Sequence, residues 1–81
     1  MPGPLDRATI EQHLAEAEQR VGAGLLFICH QRGLVAQLER GQHGAALEEA
    51  RADLKKMMDT QALLIGDRNR LRSELLESSA L

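Results

Sequence analysis

Apolar or small side chains recur at Ile10, Leu14, Ala17, Val21, Gly24 and Ile28, then at Val35 and Leu38 after a polar Gln31. The steps alternate four and three. That is the seam of a coiled-coil helix and not the period of two that marks a strand. A second seam repeats the alternation at Leu47, Ala50, Leu54, Met57, Gln61, Leu64, Arg68, Leu71 and Leu75. Between the two, Arg40-Gly-Gln-His-Gly44 breaks the pattern with two glycines three apart, the clearest turn signal in the chain. Gly41 is the expected C-terminal cap of the first helix, because glycine takes the left-handed conformation without a steric penalty. At the other end Asp6 or Thr9 can serve as N-cap, Thr9 having Gln12 at the spacing of a capping box. The pattern therefore predicts one all-α domain: a lead-in over 1–5, a helix over 6–40, a turn at 41–44, a second helix over 45–77 and a frayed tail at 78–81.

The turn is short, so the helices should run antiparallel, each roughly 50 Å long at about 1.5 Å per residue. If the chain folds back near residue 42 or 43, facing residues have numbers summing to about 85. Leu38 then meets Leu47, Ile28 meets Met57, Val21 meets Leu64, Leu14 meets Leu71 and Ile10 meets Leu75. The polar interruptions fall opposite apolar or small residues: Gln31 against Leu54, Gln61 against Gly24, Arg68 against Ala17. Small partners leave room for a long side chain to cross the seam and reach water. The predicted fold is a long antiparallel two-helix coiled-coil hairpin.

Two seam columns suffice for such a hairpin, yet the chain carries more apolar residues. Leu25, Leu26, Phe27 and Leu34 are left over on the first helix, and Met58, Ala62, Leu63, Ile65 and Leu76 on the second. Leu25, Cys29, Met58, Ala62 and Ile65 fall on one flank, beside a column of small residues spaced by seven at Ala8, Ala15, Gly22, Cys29 and Ala36. This flank is the expected self-association face, and the simplest occupant is a second copy, giving a homodimeric four-helix bundle. Burying an additional Leu, Met or Ile there would contribute roughly 1.5–3 kcal/mol per side chain.

Composition agrees with that picture and removes several function classes. The chain has 81 residues, one Phe and no Trp or Tyr, too few large anchors for a compact core of its own. A formal charge of −2 with interspersed signs argues against nucleic acid as the main partner and offers no polybasic attraction to membranes. No apolar run approaches the roughly 18–20 residues needed to span a bilayer. The opening MPGPLDR lacks the regions of a signal peptide, and a single cysteine gives no intramolecular disulfide. The expected setting is the cytoplasm.

Candidate chemistry is sparse. Cys29 and His30 are adjacent, and adjacent helical residues point about 100° apart, so they do not chelate one ion together. The plain expectation is a small buried Cys beside a surface His, with neither metal nor cofactor. Carboxylates have bases one turn away, as in Glu16 with Arg20, Lys55 with Asp59 and Arg70 with Glu74, the spacing of solvated helix faces. No phosphate loop, nucleophile motif or Glu-x-x-His pair is present, and no catalytic residue is assigned. The densest basic patch is Arg68, Arg70 and Arg72, the one candidate contact for nucleic acid. Asp67 and Glu74 bracket it, and no aromatic residue there offers base stacking.

The segments DRATIEQHLAEAEQRV, HQRGLVAQLERGQH and QALLIGDRNRLRSEL, spread over residues 6–75, resemble a group of short bacterial helical-hairpin proteins of unknown function from rhizobia and related alphaproteobacteria. The resemblance implies a small cytoplasmic helical protein and carries over no activity, cofactor or site. Where that group has a charged stretch after the glycine, this chain has Gly24-Leu-Leu-Phe-Ile-Cys29, so a shared partner or oligomeric state does not follow. Taken together, the chain reads as a self-associating structural or protein-interaction module. The alternatives are a nucleic-acid regulator using the Arg68–Arg72 helix end and a ligand or metal binder using a cavity at the glycine-rich centre.

Overall fold

The computed structural model of the protein describes residues 6–79; the expected lead-in over 1–5 and the last two residues of the expected tail lie outside the described residues. The described chain is two helices, α1 (Arg7–Gly41) and α2 (Gly44–Ser79), folded against each other as an antiparallel hairpin measuring 58 × 17 × 17 Å. α2 runs to Ser79, past the expected boundary at 77.

α1 begins one residue later than expected because Asp6 stands outside it as the N-cap, with φ −71° and ψ 165°. Its carboxylate accepts the Thr9 amide N–H at 2.7 Å, satisfying one of the donors that every helix start leaves open. That hydrogen bond, joined by one from the Thr9 hydroxyl, holds the Asp6 carboxyl below its usual value of 3.8.

The turn departs from expectation. α1 continues through Gly41, and the left-handed residue is Gln42, at φ 58° and ψ 39°. The His43 ring lies over Gly41, so closely that a Cβ there would stand 2.7 Å from its Cδ2. Leu38 O accepts the amide N–H of Gln42 and also that of His43 at 3.3 Å, which closes the helix end. His43 O then accepts Leu47 N–H at 2.7 Å and opens α2.

The seam is where the spacing places it. Ile10, Ala17, Ile28, Val35, Ala50 and Leu71 are the buried apolar residues, Gln61 is buried with them, and every other seam position is half-buried. The two glutamines act reciprocally across it. Gln31 Nε2 donates to Ala50 O on α2, and Gln61 Nε2 donates to Val21 O on α1, both at 2.9 Å. A carbonyl has two lone pairs, so each of these can take a side-chain amide besides its helical N–H.

Gln61 does not lie across the seam to reach water, as its spacing suggests. It is only 8% exposed, and its Oε1 has no hydrogen-bond partner. The oxygen occupies the space that a Cβ on Gly24 would need, and its Cδ would stand 3.1 Å from that Cβ. Gly24 thus permits the close approach, and the amide is drawn inward by Val21 O. Arg68 is half-buried and turns along its own helix, its guanidinium donating to Asn69 Oδ1 at 3.3 Å.

These contacts set the expected effects of three substitutions, read by thermal and urea unfolding at fixed protein concentration. Gly33→Ala, in open space, should stabilise by about 1 kcal/mol, the ordinary helix preference. Gly24→Ala should instead destabilise by about 1 kcal/mol, because it displaces the Gln61 amide, and should turn neutral or stabilising in a Gln61→Ala background. Equal gains at both glycines would remove the interlock.

At the helix ends, Gln42→Gly should stabilise by about 0.5–1 kcal/mol by relieving the left-handed geometry, while Asp6→Ala should lower stability by removing the N-cap. Because the native Asp6 pKa is lowered, its contribution is fully present above the unfolded value of 3.8 and is lost as pH falls through the native one. The penalty of Asp6→Ala should accordingly vanish in acid unfolding experiments.

Candidate functional site

A two-helix hairpin has two flanks, one on each side of its seam. On the first flank, two ion pairs join the helices: Arg72 Nη2 to Glu18 Oε2 at 3.2 Å, and Arg51 Nη2 to Glu39 Oε1 at 3.6 Å. Both pairs of numbers sum to 90, which fixes the level of every residue between them on this flank. Leu25 stands level with Ile65, and Arg32 with Met58. The result is a largely apolar window with one charged residue, Arg32, level with Met58; it is open at Leu25 (56% exposed) and Met58 (44%), half-covered at Ile65 and closed at each end by a cross-helix ion pair. Cys29 and Ala62 border the window one helical turn from its seamward residues, and both are exposed. All five residues expected to form the self-association face therefore share one flank.

The exposure of Cys29 corrects the expectation of a buried thiol. Ile28 takes the seam, and the next residue, about 100° further round, points where α2 does not reach. The spacing also hides the four residues that bound the window. Glu18, Glu39, Arg51 and Arg72 look like ordinary helix-surface charges, and only the constant sum of 90 reveals that they pair across the hairpin.

The opposite flank carries Phe27 (63% exposed) and Leu34. A groove of about 420 Å³ lies beside them, floored by Gly24, Gln61 and Leu64, walled by Phe27, and rimmed by Arg20 and Lys56. It is an open trough on a single hairpin, with Gly24 its only glycine. Leu26, Leu63 and Leu76 are exposed as well, Leu63 to 76%.

The arginine cluster is spoken for within the hairpin. Arg70 Nη2 donates to Asp67 at 2.7 Å and its Nη1 to Glu74 at 2.9 Å, interactions that raise its pKa above the usual guanidinium value, the Asp67 hydrogen bond most of all. Arg72 holds Glu18, and Arg68 lies against Asn69. Of the other expected helix-surface pairs, Glu16 and Arg20 stand at 3.9 Å, while Lys55 and Asp59 form no ion pair among the described residues. Exposed pairs of this kind contribute about 0–1 kcal/mol each.

Among the described residues no group of three or more His, Cys, Asp or Glu side chains is arranged to hold a metal ion, and no helix is long and apolar enough to cross a membrane. No family model, curated protein or solved structure matches the chain.

Proposed function

We propose that the protein is a self-associating helical hairpin, a structural or protein-interaction module of the cytoplasm whose working form is a homodimeric four-helix bundle. The observation that carries this reading is the imbalance between core and surface. Among the described residues six apolar side chains are buried, two of them alanines, and no large side chain is fully buried. Against them stand seven large apolar side chains with 43–76% of their surface in water. The chain exposes 6077 Å², against about 4,800 Å² for a compact monomer of its mass. Exposed apolar surface of this extent on so small a chain supports a contact site.

The likeness to rhizobial-type hairpins fits a small helical module of this kind. The nucleic-acid alternative draws no support from the geometry, since each arginine of the cluster already has a partner.

Sedimentation and light scattering read this reading directly. The expected mass is twice 8.9 kDa at micromolar concentration. Met58→Glu with Ile65→Glu should dissociate the dimer and lower the melting temperature, since two charges would enter an apolar contact. A strict monomer at high concentration, or a dimer indifferent to both substitutions, would overturn it.

A further inference from the structure

We infer that the second copy docks on the Leu25–Met58–Ile65 flank with its two-fold axis along the hairpin, so that both turns lie at the same end of the bundle. This rests on the self-association reading and adds to it the face and the orientation. Two closed arrangements can bring identical flanks together. Rotation about the long axis sets α1 of one copy against α2 of the other, level with level. Rotation about an axis across the flank sets α1 against an inverted α1, and α2 against an inverted α2.

The ion pairs that close the window choose between them. About the long axis, Glu18 faces the partner's Arg72 and Glu39 faces the partner's Arg51. The Glu18 end then carries a ring of four charges with alternating sign, and the Glu39 end carries the same alternation with Glu48, 3.6 Å from Arg51, beside it. End over end, with the axis through the middle of the window so that the two windows overlap fully, Glu18 meets the partner's Glu39 and Arg72 meets the partner's Arg51, like against like at both ends. Like charges brought face to face oppose docking, so charge complementarity favours the first arrangement.

Side-chain size points the same way. Along the outer edge of this flank α1 carries small residues, and the residues of α2 at matching level are mostly longer: Leu76 beside Ala15, Asn69 beside Gly22. Rotation about the long axis sets each long residue over a small one of the partner. It gives Leu76, 72% exposed in the hairpin, an alanine to pack on. All neighbouring helices are then antiparallel, as in an up-down-up-down bundle.

Cys29 supplies the test, because it stands beside the midpoint between Glu18 and Glu39, as Ala62 does between Arg51 and Arg72. End-over-end docking would bring each Cys29 against its own copy. Docking about the long axis places Cys29 opposite the partner's Ala62 and separates the two Cys29 thiols across the bundle diagonal. The dimer is first confirmed by light scattering, then oxidised with copper phenanthroline and run without reductant. Three proteins are compared: the natural chain, Ala62→Cys, and Ala62→Cys with Cys29→Ser.

Only the variant that keeps Cys29 beside the introduced thiol should form a covalent dimer. Rapid cross-linking of the natural chain, or of the variant lacking Cys29, overturns the orientation while leaving self-association standing. A dimer that cross-links in none of the three overturns the flank. A monomer by light scattering overturns the underlying reading as well.

A second measurement avoids thiol chemistry. Exchanging one pair, by Glu39→Arg with Arg51→Glu, keeps the rings alternating in the proposed dimer and should leave its Kd nearly unchanged. The same exchange would convert the end-over-end contacts from repulsive to attractive, so a tightening of about tenfold or more counts against the proposal.

Discussion

The hairpin depends on two side-chain amides. Gln31 reaches from α1 to a carbonyl of α2, Gln61 reaches from α2 to a carbonyl of α1, and the two sit one heptad apart near the middle of the molecule. An apolar seam tolerates sliding, since Leu and Ile layers repeat every turn. Backbone carbonyls recur every heptad too, so what ties the amides to one register is the space opposite Gln61: a slip by one heptad would set its amide against the side chain of Ala17 or Gln31 instead of Gly24. Gly24 completes the lock by leaving space where the Gln61 oxygen rests. Buried polar groups of this sort add little net stability, and their best-attested role is the selection of one register.

Everything else in the fold is subordinate to that register. It sets the constant sum near 85 along the seam and hence the sum of 90 along the flank, where Glu18 meets Arg72 and Glu39 meets Arg51. Half-exposed ion pairs contribute little to the isolated hairpin. Their consequence is spatial: they fix the charged boundaries of the Leu25–Met58–Ile65 window, about 31 Å apart along α1. The level at which these charges stand thus follows from the same register that the seam fixes.

Heptad spacing made most of this fold legible. Every residue from Ile10 to Leu75 on the two seams is buried or half-buried, and the fold-back number found from apolar matching also places Gln61 against Gly24. Local geometry was less legible, for identifiable reasons. The turn residue with positive φ is Gln42 and not Gly41, since α1 runs one residue further than the glycine spacing suggests and the cap falls beyond it. Gln61 turns inward because Val21 O is within reach, whereas spacing alone says only that a polar residue has fallen on the seam. The exposed flank was legible as five residues but not as a bounded window, since cross-helix pairing of charges appears only once the register is known.

The distribution of glycine ties folding to association. Gly22, Gly24 and Gly33 all lie in the middle of α1, where each lowers helix stability by about 1 kcal/mol relative to alanine. Only Gly24 has a contact within the hairpin that explains it; a Cβ on Gly22 or Gly33 would meet nothing. The weakest stretch of α1 by propensity is therefore also the stretch bearing Leu25, Leu26 and Phe27, the most exposed apolar run in the molecule. A helix centre that is intrinsically weak and exposes apolar surface gains order when that surface is covered. On this view the hairpin and the bundle form one linked equilibrium, in which apparent stability rises with protein concentration. Under the proposed docking, burial of Leu25 would offset part of that weakness, whereas Phe27 stands on the opposite flank.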